Sequence, residues 1–163
     1  MAIRFTDLEI LELINERKIL PASFNSKSQL KDKQGHKERE VDLKGEYGND
    51  FRVIFRQSLF NVLDFSIILA TFQTNSSLPF RLCRYNGKSH QHSNLIEKIS
   101  FYNFHIHKAT ERYQDLGSRE DAYAEETEKY FDYLSAYQCF LSDVNLIDLE
   151  QKPTLFGEPI HDN

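Results

Sequence analysis

The chain has 163 residues, a length that suits one domain with a real core, since a domain of this size buries about 70% of the surface its unfolded chain exposes. Its net charge of -5 excludes a surface that coats nucleic acid broadly and confines any such contact to a local basic cleft. With 13 Phe, 8 Tyr and no Trp, the apolar content favours sheet over a pure helix bundle.

Thr6-Asp7-Leu8-Glu9 reads as a capping box, in which the Thr6 hydroxyl accepts from the amide three residues on while Glu9 reaches back. A helix is expected to follow, with Leu8, Leu11 and Ile14 on one stripe, Ile10 and Leu13 widening it, and Pro21 ending the run after Leu20. Acids inside this apolar stretch exclude a signal peptide and a spanning helix, so the expectation is a soluble cytoplasmic protein with no membrane contact. Residues 25–39 are polar, dense in charge and almost empty of groups to bury, which reads as a loop or arm.

Strands follow. Val41 and Leu43, then Phe51, Val53 and Phe55, alternate with charged residues on either side of a turn at Glu46 to Asp50, and the pair reads as a hairpin. Arg52 and Arg56 fall on the face opposite Phe51 and Phe55, taken as the solvent side. The run from Val62 to Phe72 is the most apolar in the chain and reads as a central strand covered on both faces. Pro79 opens the next strand, where Phe80, Leu82 and Arg84 alternate with Arg81, Cys83 and Tyr85 until Asn86-Gly87 turns the chain. Beyond a loop at Gln114 to Ser118, the run from about Glu126 carries a helical stripe of Tyr130, Leu134, Tyr137 and Leu141. Residues 151–163, with Pro153, Gly157 and Pro159, read as an irregular tail after a domain of residues 1–150. Cys83 and Cys139 lack the close spacing of a thiolate metal site and suit reduced core thiols. The expected architecture is one α+β domain, an antiparallel sheet of about five strands from roughly Val41 to Lys108, packed by an N-terminal and a C-terminal helix.

Four of the six histidines form two His-x-His pairs, His90/His92 and His105/His107. The first pair lies just past the Asn86-Gly87 turn, and the second lies on a strand expected to begin near Ile99. In that strand Tyr102, Phe104 and Ile106 fall on one side and Asn103, His105 and His107 on the other, which would bury aromatics and display imidazoles. An antiparallel return would gather all four rings on one surface.

Three readings of the gathered rings are open. One is a divalent-metal site at His90, His92, His105 and His107, with Glu97, Glu111 or Asp115 as a carboxylate ligand and zinc or iron as the ion. Another is metal-independent cleavage of RNA, needing no cofactor. There His105 and His107 transfer the protons, Arg84, Lys108 or Arg112 steadies the phosphorane-like transition state, and Tyr102 or Tyr113 stacks bases. His90, His92 and Asn86 complete the substrate-binding positions in that scheme. The third is a set of histidines satisfied by hydrogen bonds on a half-exposed sheet, or part of a protein interface.

Arg84-Tyr85-Asn86-Gly87, His90-x-His92 and Phe104-His105-x-His107 together resemble the strand-turn-histidine pattern of TumE-type toxins from bacterial and archaeal toxin–antitoxin loci. They also resemble a family of small His-rich phage- and plasmid-borne proteins. The resemblance covers about a fifth of the chain, within Arg84 to Tyr113. It implies a compact α+β prokaryotic protein, a growth-inhibiting toxin acting on RNA, with a small antitoxin as partner. It carries over to Arg84, Asn86, His90, His92, His105 and His107. The alternative is a non-catalytic accessory or inhibitor protein that binds another protein.

Overall fold

A computed structural model describes residues 4–22, 31–33 and 35–149. The expected tail at 151–163 and part of the charged stretch lie outside the described residues. In chain order the elements are α1 (Asp7–Asn15), β1 (Lys18–Ile19), β2 (Lys31–Lys33), β3 (His36–Lys44), β4 (Asp50–Ser58), β5 (Phe65–Phe72) and β6 (Pro79–Asn86). They continue with β7 (His92–Asn94), β8 (Ile99–Phe101), β9 (His105–Lys108), α2 (Glu111–Leu116), β10 (Tyr123–Glu126), α3 (Tyr133–Asp143) and β11 (Leu146–Ile147). No described helix is long and apolar enough to cross a membrane.

The main sheet has seven strands in the order β10-β9-β6-β5-β4-β3-β2, every neighbour antiparallel. The class is α+β, and the expected central strand is central: β5 buries Ile67, Ile68, Leu69, Ala70 and Thr71 in succession, so both of its faces are covered. The sheet is wider than expected at both edges. β3 begins at His36, inside the stretch read as a loop, because Lys37, Glu38, Arg39 and Glu40 pair in register with Gln57, Arg56, Phe55 and Ile54 of β4. Four charged residues in a row fill that end of β3, so apolar alternation never marks it.

The helices are shorter than their hydrophobic patterns. α1 ends at Asn15, well before Pro21, and it buries Ile10 and Ile14 while Leu8 and Leu11 stay exposed. Its capping box is as expected, with Thr6 Oγ1 accepting from the Glu9 amide and Glu9 Oε2 accepting from the Thr6 amide. The expected helix from Glu126 starts instead at Tyr133, capped by Asp132, because Tyr123–Glu126 is spent as the edge strand β10 beside β9. Lys18, almost fully buried, donates from Nζ to the carbonyls of Ile14, Glu16 and Val144 and so ties the end of α1 to the end of α3. Beside it β1 and β11 pair in parallel, joining both ends of the described chain.

Register divides the sheet into two chemically different faces. Phe55, Ile67, Tyr85 and Ile106 lie opposite one another across β4, β5, β6 and β9, and this face packs against Ile10 and Ile14 of α1 and Ala136, Tyr137 and Phe140 of α3. One residue along each strand, the row is Arg56, Ser66, Asn86 and His105. Two residues further along β6 and β9, Arg84 stands opposite His107 on that same polar face.

Candidate functional site

At its β9 end the polar face is covered by the β7–β8 hairpin. His92 stacks on His105 with ring centres 5.4 Å apart and meets His107 edge-on at 4.7 Å, while Phe101 closes on His105 at 5.5 Å. The expected continuous strand from Ile99 is broken at Tyr102 to Phe104, which lets β8 fold back over β9. His105 and His107 are therefore 0% and 3% exposed, sealed where the alternation alone would display them. Phe104 and Ile106 do pack against the core on the other side, as expected, but Tyr102 is exposed.

Hydrogen bonds assign the tautomer of each ring. His105 Nδ1 lies 2.7 Å from the Asn103 carbonyl and His107 Nδ1 lies 2.7 Å from the Asp121 carbonyl. A carbonyl can only accept, so both Nδ1 atoms carry the proton and both Nε2 atoms keep a lone pair. Asn94 is fixed by the backbone of Ala124, its Nδ2 donating to the carbonyl and its Oδ1 accepting from the amide. His92 Nε2, 2.8 Å from that Oδ1, is therefore a donor, and its Nδ1 is the free nitrogen. Asn86 Oδ1 accepts from Ser66 Oγ, which turns its Nδ2 toward His105 Nε2 at 3.3 Å. His92, His105 and His107 each offer a ring nitrogen, all within 4.8 Å of one another.

Burial keeps the two inner rings neutral. It pulls His105 down to about 4, with the Asn103 carbonyl opposing and His92, His90 and Arg84 adding to the shift. His107 falls to about 2, first through burial and then through the positive charge of Arg84. A proton-transfer pair needs one ring as acid and one as base near the working pH, whereas both of these rings sit in the base form. His90, exposed on the rim, approaches His105 at 5.9 Å.

Of the four rings, His90, His92 and His107 line a cleft of about 750 Å3. Its lining includes Arg56, Arg84, Arg119, Asn86, His90, His92 and His107, with Asp64 as the single acid among the described lining residues. Arg84 is held by Asp121, fully buried, whose Oδ2 lies 3.4 Å from Arg84 Nε while its Oδ1 lies 3.5 Å from Arg119 Nε and 3.8 Å from Arg81 Nε. Among the described residues neither Asp121 oxygen nor Arg84 Nε has a hydrogen bond of good geometry, so one carboxylate faces three guanidiniums by charge alone. Desolvation pulls the Arg84 pKa down and Asp121 opposes it; the guanidinium stays charged.

Several expected site residues stand elsewhere. Arg112 is paired with Glu97 at 2.7 Å and does not line the cleft. Tyr113 borders the cleft, but its ring is fully buried and its hydroxyl donates to Glu97, so it offers no face for stacking. The carboxylates considered as ligands are taken too: Glu97 by Tyr113 and Arg112, Glu111 and Asp115 by Arg4. In their place the fold supplies Arg56, Arg119, Asn94 and Asp121. Arg56 was visible as a residue on the face away from the core, taken for solvent; nothing in Ser118-Arg119-Glu120-Asp121 signals a buried acid.

Comparison with protein-family models, with curated proteins and with solved structures finds no match, so what this site does is argued from its geometry.

Proposed function

We propose that the protein is a toxin-like hydrolase of RNA phosphodiester bonds, working in the cleft above His92 and His107. The observation that carries this reading is the convergence of Arg56, Arg84 and Arg119 with these imidazoles in one cavity that has a single acid among its described lining residues. Guanidiniums bind phosphate oxygens through paired, charge-assisted hydrogen bonds, and they stabilise the extra negative charge that gathers on phosphorus in the transition state. The cleft is also roomy enough for a nucleotide.

The test is incubation of the purified chain with labelled single-stranded and structured RNA, beside induced expression in growing cells. Wild type is expected to cleave RNA and arrest growth. Arg119→Gln, at a half-exposed position and with a thermal melt to control for the loss of one charge beside Asp121, is expected to lower the cleavage rate about 10²-fold. Intact RNA from every substrate, with unimpaired growth, would remove the reading.

A second reading, a non-catalytic accessory or inhibitor protein that docks a protein partner, is favoured by Phe60 and Val62, 87% and 86% exposed on the loop beside the cleft. It predicts a stable complex and growth unaffected by the free chain.

A further inference from the structure

We infer that His92, His105 and His107 form a centre for one divalent transition-metal ion, zinc or a zinc-like ion, whose fourth position opens into the arginine-lined cleft. The inference deepens the hydrolase reading by naming what would activate water there, and it rests on that reading only for the use made of the ion.

Three independent features point the same way. One ring nitrogen from each of the three histidines, which come from two separate segments of chain, lies within 4.8 Å of the other two. Around a tetrahedral ion with bonds of about 2.0–2.1 Å the nitrogens stand roughly 3.4 Å apart, so binding requires the three rings to draw in, with the hairpin that carries His92 moving toward β9. The second feature is orientation. His105 and His107 each donate Nδ1–H to a main-chain carbonyl, and His92 donates Nε2–H to an asparagine fixed by the backbone. Each ring is thus left with one lone pair, its other nitrogen held as the outer partners of metal-bound histidines hold it. Third, the donor set is all imidazole, with both cysteines distant in role: Cys83 faces the other side of the sheet within the apolar core and Cys139 lies on α3. Three neutral nitrogens suit zinc, copper, iron or nickel and leave the ion its full positive charge.

That charge matters in this setting. A fourth position on the cleft side would hold water or a phosphate oxygen beside Arg84, and an ion bound by three histidines lowers the pKa of bound water to about 7. The two buried rings are then ligands, and their neutrality is what the role requires. Asn86, whose amide reaches His105 Nε2 at a long 3.3 Å, gives up that contact when the ion binds.

The experiment uses the full chain purified without a histidine tag, stripped with chelator and titrated with Co(II), the visible d–d bands reporting coordination by nitrogen. Wild type is expected to take up one equivalent, displaced by Zn(II). His92→Ala, on the surface hairpin, is expected to weaken uptake at least about 100-fold, and His92→Asp, which restores a ligand atom, to recover part of it. A thermal melt of each variant controls for folding. Wild type that binds no more Co(II) than His92→Ala would overturn the centre. Co(II) bound with this pattern but no RNA cleaved would keep the centre and remove the hydrolase. RNA cleavage undiminished in chelator, with no uptake, would do the reverse.

Discussion

Asp121 acts through both backbone and side chain: its main-chain carbonyl accepts from His107 Nδ1–H, and its carboxylate lies against Arg84, Arg119 and Arg81. The same residue therefore sets a ring's tautomer and a guanidinium's position, which is why a charge run in a loop matters to the site. The buried imidazoles also leave a thermodynamic trace. In the unfolded chain each titrates near 6.5, whereas folded His105 takes a proton only near 4 and His107 near 2. Between those values the unfolded state holds more protons, so acid favours it. Stability is accordingly full above pH 6.5 and declines as pH falls from 6.5 toward 4, with a slope approaching about 1.4 kcal/mol per pH unit for each ring. Below 4 only His107 continues the trend. Urea midpoints followed from neutrality down to about pH 4.5, before carboxylates contribute, are expected to drop steadily, and a flat profile would mean that the rings meet protons in the folded state.

At the level of elements, the link from β6 to β7 decides whether the two histidine pairs meet. Asn86-Gly87 was readable as the turn that ends β6, and the structure adds why glycine stands there. Gly87 donates its amide to the Phe65 carbonyl, and a Cβ at this position would run into the Leu63 carbonyl and crowd Phe65. Backbone cannot step aside as a flexible side chain would. Gly87→Ala is expected to destabilise the protein by about 2–3 kcal/mol and to shift the loop that carries His90 and His92. Chemical denaturation checks the first effect; an unchanged midpoint would show that the loop relaxes freely. Elements whose pattern is apolar, such as β5 and the Phe51–Phe55 part of β4, were legible because burial writes their alternation. The start of β3 and all of β10 were not, since Lys37 to Glu40 and Glu125 and Glu126 pair through the backbone at partly open edges and carry no hydrophobic signature.

Across the whole molecule, the antiparallel sheet brings residues far apart in order to one face: alternation puts His105 and His107 on one side of β9, and the register of β6 against β9 sets Arg84 and Asn86 beside them. The cover was not legible. Whether β8 runs on into β9 or folds back above it depends on what Phe101 and His92 find to pack against, and that is tertiary information. The cover turns a displayed row of imidazoles into a sealed floor beneath a cationic mouth, on a chain whose net charge is -5. Such a contrast makes a quantitative demand on RNA binding. Among the described residues the cleft gathers Arg56, Arg84 and Arg119, so RNA bound there as proposed would have about three phosphates neutralised. Each phosphate contact on a single strand contributes a slope of about -0.7 to the dependence of log affinity on log salt. Wild type is therefore expected to show a total slope of about -2, and Arg119→Gln a slope shallower by about 0.7. A slope several units steeper would move the contacts to a broad surface outside the cleft, against the acidic remainder of the chain; a slope near zero would take phosphate out of the recognition altogether.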